Sequence, residues 1–247
     1  MKNIIVCALL LALLPLAVRA QDEGVKLQAA NVDVSNTASL QRGAKFFVNY
    51  CMGCHSAQYV RYNRVGQDLG LSDPQLESYL MFGGGKATDT MVSAMPQADA
   101  IKWFGVAPPD LSLESRIRGD DWIYTYLKSF YLDPKSATGV NNTVFPHVAM
   151  PDVLWELQGT QRAVFTTVKN PDGSSYQVFD HFEQVTPGKM TPAEFDKAAR
   201  DITSFLAYMG DPVKLTSLTL GLRVIGFLVV FFIIAYLLKR EIWKKVH

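Results

Sequence analysis

Cysteine is scarce in this chain, three residues in 247, and histidine hardly less so, with four. Cys7 lies in an N-terminal apolar run, so Cys51 and Cys54 are the only thiols of the remainder. No second Cys or His pair stands at the spacing a four-ligand structural zinc site needs. There is no internal repeat and no low-complexity tract, which leaves one domain with excursions as the default for about 190 residues. The glycine cluster in "MFGGGK" lacks the spacing and the closing Ser or Thr of a phosphate loop and reads as a bend. Positive charge is in deficit as well. Residues 21–214 hold 17 Lys plus Arg against 22 Asp plus Glu, a net of −5, which makes a poor nucleic-acid binder. That charge suits basic partners or serves solubility alone, and composition does not separate the two.

Long apolar runs are present at both ends. "MKNIIVCALLLALLPLAVRA" has an early lysine, an apolar stretch and small residues at Val18 and Ala20. It reads as a secretory signal, residues 1–20, cleaved after Ala20. The alternative, a membrane anchor, is disfavoured because the run from Ile4 to Val18 is short and broken at Pro15. Near the other end, residues 215–238 form a predicted transmembrane helix of roughly 36 Å, enough for a hydrocarbon core of about 30 Å. Arg223 lies near its start, where a long side chain can reach the interface. An amphipathic core helix fails as an explanation because Val224 to Leu238 is apolar on every face. Lys239, Arg240, Lys244 and Lys245 follow, so the tail, residues 239–247, is expected in the cytoplasm. The bulk, residues 21–214, is then expected on the periplasmic side of the inner membrane.

Within that bulk, "NTASLQRGAKFFVNYC" spaces Leu40, Ala44, Phe47, Val48 and Cys51 as one helix face. "TPAEFDKAARDITSFLAYMGDP" is a second helix. Thr191 is its N-cap, Pro192 its first residue, Glu194 completes a capping box, and Gly210 and Pro212 end it. Phe195, Ala198, Ile202, Phe205 and Met209 form its buried stripe. "DDWIYTYLKSFYLDP" also reads as a helix. "RAVFTTV" and "YQVFDHFEQV", joined by "KNPDGSS", read as a β-hairpin. The stretch from Gly66 to Pro109 is weakly periodic, with some helix around Asp73 to Met81. Two helices at opposite ends of a domain, one feeding "CMGCH", suit a cytochrome c-like arrangement.

"CMGCH" carries the chemistry. Two thiols with a two-residue spacer reach two vinyl groups of one porphyrin, and the next residue, His55, is then held under the iron. Cys51 and Cys54 are the expected thioether positions of one covalent haem c, with His55 the proximal ligand. For the sixth position Met95 and Met150 are each followed by proline, which stiffens a loop presenting a weak thioether ligand. Pro146 and Pro151 bracket Met150 in "FPHVAMP", which makes it the better candidate, with His147 as the rival. His/Met ligation raises the reduction potential and leaves no open position, so electron transfer is expected rather than oxygen chemistry. "APPDLSLESRIRGDDW" adds Pro108 and Pro109, able to line a haem face. It also adds Arg116 and Arg118, either propionate partners or a surface pair facing Glu114, Asp120 and Asp121.

Together "CMGCHS", "APPDLS", "RIRG", "FPHVAMP", the hairpin, "FLAYMGDP" and a C-terminal anchor with a basic tail resemble the cytochrome c1 family over nearly the whole chain after the leader. That family supplies the haem subunit of the quinol–cytochrome c reductase (complex III). The resemblance implies a mainly α, cytochrome c-like haem domain with loop excursions, a small β-hairpin and one transmembrane helix. It matches the family's attachment cysteines to Cys51 and Cys54, its proximal histidine to His55, its axial methionine to Met150 and its propionate-binding arginine to Arg118. Pro109 is expected in the haem pocket on the stiffness of its own diproline. The resemblance implies cytochrome b and a Rieske iron–sulfur protein as partners, the latter as electron donor, and a soluble or tethered c-type cytochrome as acceptor. "KWFG" stands where many relatives carry an Asn-Asn pair, and the acidic runs of some mitochondrial relatives are missing. A haem enzyme such as a peroxidase or nitrite reductase would need an open sixth position and usually a second haem motif, but only one CxxCH occurs. A haem sensor fits no better, because the nine-residue tail holds no signalling domain.

Overall fold

The computed structural model describes residues 25–170 and 172–244; the expected signal, 1–20, and the end of the expected tail, 245–247, lie outside the described residues. Asn36 caps helix α1, Thr37–Phe46, by accepting from the Ser39 N–H, and one π-helical turn, Phe47–Cys51, carries the chain into "CMGCH". Strand β1, Ala57–Arg61, helix α2, Tyr62–Asp68, and helix α3, Asp73–Leu80, follow. A Ser72/Gln75 capping box starts α3, which lies where some helix is expected around Asp73 to Met81. The excursion is more ordered than its weak periodicity implies. It holds strand β2, Thr90–Met91, paired antiparallel with β1, and helix α4, Gln97–Phe104, which stops at Gly105 in the left-handed region.

Helix α5, Glu114–Arg118, leads into α6, Asp120–Lys128. The expected helix through "DDWIYTYLKSFYLDP" therefore ends early. Phe130–Leu132 forms strand β3 and pairs with β4, Val140–Asn142. Its β-favouring aromatic residues find a partner strand because the chain reverses between Asp133 and Gly139. A short helix α7, Trp155–Gln158, precedes the hairpin of β5, Gly159–Lys169, and β6, Ser175–Pro187.

Helix α8, Pro192–Gly210, has the Thr191/Glu194 capping box and Pro192 at its first position, and Phe195, Ala198, Ile202, Phe205 and Met209 are all buried. Helices α1 and α8 cross at Gly43. A Cβ there would stand 2.1 Å from the Asp201 carbonyl oxygen and 2.8 Å from Phe205 Cβ, so only glycine admits this approach. Beside the crossing the Asp201 carboxylate accepts from Ser39 Oγ (2.6 Å), Arg42 Nε (2.6 Å) and Arg42 Nη2 (2.9 Å). The Phe47 and Phe205 rings meet at 5.5 Å, which ties the turn before Cys51 to α8.

Helix α9, Lys214–Trp243, contains the expected span. Among the described residues it is the one helix long and apolar enough to cross a bilayer. Within its Leu220–Trp243 section an 18-residue stretch has a mean hydropathy of 2.5, and none of that stretch is covered by the rest of the chain. It fits a single-pass membrane anchor.

Candidate haem site

The attachment segment folds back on itself. The N–H groups of Cys54 (3.0 Å) and His55 (2.9 Å) both donate to the Cys51 carbonyl. Both cysteines are free; Cys51 is buried and Cys54 half-buried. Burial, with Cys54 adding to it, pushes the Cys51 thiol up to about 12, and burial raises Cys54 too, so both sulfurs keep their hydrogens at neutral pH.

"APPDLS" runs alongside this segment. Leu111 N–H donates to the Ser56 carbonyl (2.8 Å), Gln58 N–H to Asp110 Oδ2 (2.8 Å) and Tyr59 N–H to Ser112 Oγ (3.2 Å). That strap puts the Pro109 carbonyl 2.8 Å from His55 Nδ1. A carbonyl only accepts, so Nδ1 carries the hydrogen and Nε2 presents its lone pair. Burial lowers the His55 pKa, against the Pro109 hydrogen bond and the charges of Glu114 and Asp110, so the neutral, ligating form prevails at pH 7.

Met150 sits half-buried, and its sulfur accepts from the Tyr126 hydroxyl at 3.2 Å. The loop before it is built by two buried asparagines. Asn142 Oδ1 accepts from the N–H groups of Val144 (2.9 Å) and Phe145 (3.2 Å), and Asn141 Oδ1 from that of His147 (2.9 Å). His147, the rival, is exposed and held at a φ of 61°. Met95 makes a backbone bond to Ser93 Oγ.

Arg118 is half-exposed. Its Nε stands 3.7 Å from Glu114, the acidic neighbour of the surface-pair reading, and its guanidinium covers Trp122 (5.0 Å) and Phe145 (5.8 Å). Trp122 stacks on Tyr126 at 5.0 Å, and Tyr126 meets Phe130 edge-on at 5.1 Å. One aromatic wall thus joins Arg118 to the residue that touches Met150. Arg116 instead points at α8, its Cγ 3.2 Å from where a Gly210 Cβ would be.

The donor set fits a haem: two protonated thiols with two residues between them, an oriented neutral imidazole beside them, and a thioether in a fixed loop. Among the described residues no three His, Cys, Asp or Glu side chains converge as a metal cage. A family model described as the Cytochrome C1 family matches residues 29–246. The chain belongs to the cytochrome c1 family. It is similar to "Cytochrome c1" of Allochromatium vinosum, 49% identical over 247 residues and all of both chains. It is also similar to "Ammonia monooxygenase gamma subunit" of Nitrosomonas europaea, 41% identical over all of this chain and 99% of the other. A third relative, "Cytochrome b/c1" of Bradyrhizobium diazoefficiens, is 25% identical over 85% of this chain and 33% of its own. Cytochrome c1 membership makes the chain a membrane-anchored haem subunit of the bc1 complex, and the helical architecture with small antiparallel sheets agrees.

Sequence reasoning missed three residues. Tyr126, Asn141 and Asn142 carry no motif of their own. The i, i+4 spacing of Trp122 and Tyr126 on an amphipathic helix was the only signal, and it reads equally as core.

Proposed function

We propose that this chain carries one haem c on Cys51 and Cys54, closes its iron with His55 and Met150, and relays single electrons from a Rieske iron–sulfur protein to a soluble or tethered c-type cytochrome. Each thiol adds its sulfur and its hydrogen across one vinyl double bond, so no leaving group is needed. When bound, the haem supplies a one-electron couple. The chain's own residues hold it near docking surfaces, tune its potential and keep competing ligands out. Arg118 holds a propionate, and Pro109 orients His55 while lining the pocket. Residues 1–20 are removed on export, 21–214 form the periplasmic haem domain, 215–238 span the inner membrane beside cytochrome b, and 239–247 lie in the cytoplasm.

The observation that carries this reading is the 2.8 Å contact of His55 Nδ1 with the Pro109 carbonyl, beside two thiols free for attachment. A relative whose printed name joins cytochrome b to c1 supports the membrane partner. The monooxygenase name of another relative points to a different assembly. His55 and Met150 would both hold the iron, which would favour electron transfer over chemistry at it.

Purification in mild detergent tests the reading. The mature chain should gain the mass of one haem and travel with a cytochrome b and an iron–sulfur protein. A mature chain without added mass, or copurification with a monooxygenase instead, would overturn it.

A further inference from the structure

We propose that Tyr126 is a positioning residue for the sixth ligand: its hydroxyl donates to the Met150 thioether, fixes that sulfur, and raises the reduction potential. The inference rests on the proposed ligation by Met150 and goes beyond it by naming what controls that sulfur.

Two independent contacts join Tyr126 to the Met150 loop. Its hydroxyl donates to Met150 Sδ at 3.2 Å, and its backbone carbonyl accepts from Asn142 Nδ2 at 2.9 Å. Asn142 in turn organises the start of that loop through the Val144 and Phe145 N–H groups. The phenol ring is itself fixed by stacking on Trp122 and by the edge of Phe130.

A thioether sulfur has two lone pairs. With the phenol hydrogen on one, the other is left for the iron, and rotation about the terminal bonds of the methionine is restrained. A donated hydrogen bond also withdraws electron density from the sulfur. The ferric state, which needs that density more, loses more stabilisation than the ferrous state, so the potential rises.

The test is a redox titration of the assembled, haem-loaded complex, with the thioether-to-iron absorption band recorded beside it. Tyr126→Phe keeps the ring and removes only the hydroxyl; its midpoint potential should shift downward. Tyr62→Phe is the control, because it removes a like contact to a sulfur outside the proposed ligand set, Met52 Sδ at 3.4 Å. It should shift the potential much less. An unchanged potential in Tyr126→Phe, or equal shifts in the two variants, overturns the inference. Should Tyr126→Phe fail to accumulate, a fluorinated tyrosine placed at position 126 is a stronger donor of nearly the same shape. It should shift the potential upward, and no rise overturns the inference. A parent complex lacking the thioether-to-iron band would instead refute Met150 ligation itself, and this inference with it.

Discussion

His55 Nδ1 and the Pro109 carbonyl oxygen stand 2.8 Å apart, though 54 positions separate the two residues in the chain. The contact fixes the histidine tautomer from outside the attachment motif. Substituting Pro109 leaves a carbonyl in place, so its effect would come through the rigidity of the strap rather than through loss of the acceptor.

Met150→Leu is expected to lower the midpoint potential and to let small exogenous ligands bind the reduced haem. Reduced spectra with and without carbon monoxide check this. A variant with parental potential and an intact thioether-to-iron band would remove Met150 from the ligand set.

Arg118→Glu should perturb the haem spectrum and potential more than Arg116→Glu. Arg118 covers the aromatic wall that reaches Met150, whereas Arg116 packs against α8 near Gly210. Equal and negligible effects in redox titrations of both variants would return Arg118 to a surface ion pair with Glu114.

Gly43→Ala puts a methyl group 2.1 Å from the Asp201 carbonyl oxygen. The two helices must separate, at a cost of about 1–3 kcal/mol typical of overpacking. Thermal unfolding followed by far-ultraviolet circular dichroism should show a lower midpoint, with haem content retained at low temperature. An unchanged midpoint would mean that the helices do not cross this closely.

Asp196 gives the acid limb of stability a definite sign. Burial pushes its carboxyl up, but hydrogen bonds from Lys128 (2.5 Å) and Tyr124 and the charges of Lys128 and Arg200 outweigh that and hold it below the usual carboxylate range. Its contribution is therefore fully present above the unfolded value of about 3.9 and is lost as pH falls through the lower folded value. Asp196→Asn should be less stable than the parent at neutral pH, and the gap should close below about pH 4. A constant gap from neutral pH down to about pH 3 in denaturant titrations would contradict this ionic role.

Local sequence determined whatever depends on neighbours in the chain. The Thr191/Glu194 box with Pro192 starts α8 because each group satisfies a backbone donor within one turn. The apolar content of Val224 to Leu238 makes a helix that only lipid or another helix can cover. The Cys51, Cys54, His55 spacing points to haem c because the attachment chemistry it would serve is itself local. Tertiary structure alone decided the rest. Phe130–Leu132 became a strand because Val140–Asn142 returned beside it. Pro109 came to orient His55 because the "APPDLS" strap runs along the attachment segment. Tyr126 reached Met150 because two buried asparagines bend the intervening loop back onto α6. These contacts depend on atoms brought together from distant positions, and such pairings leave no period or motif in the chain.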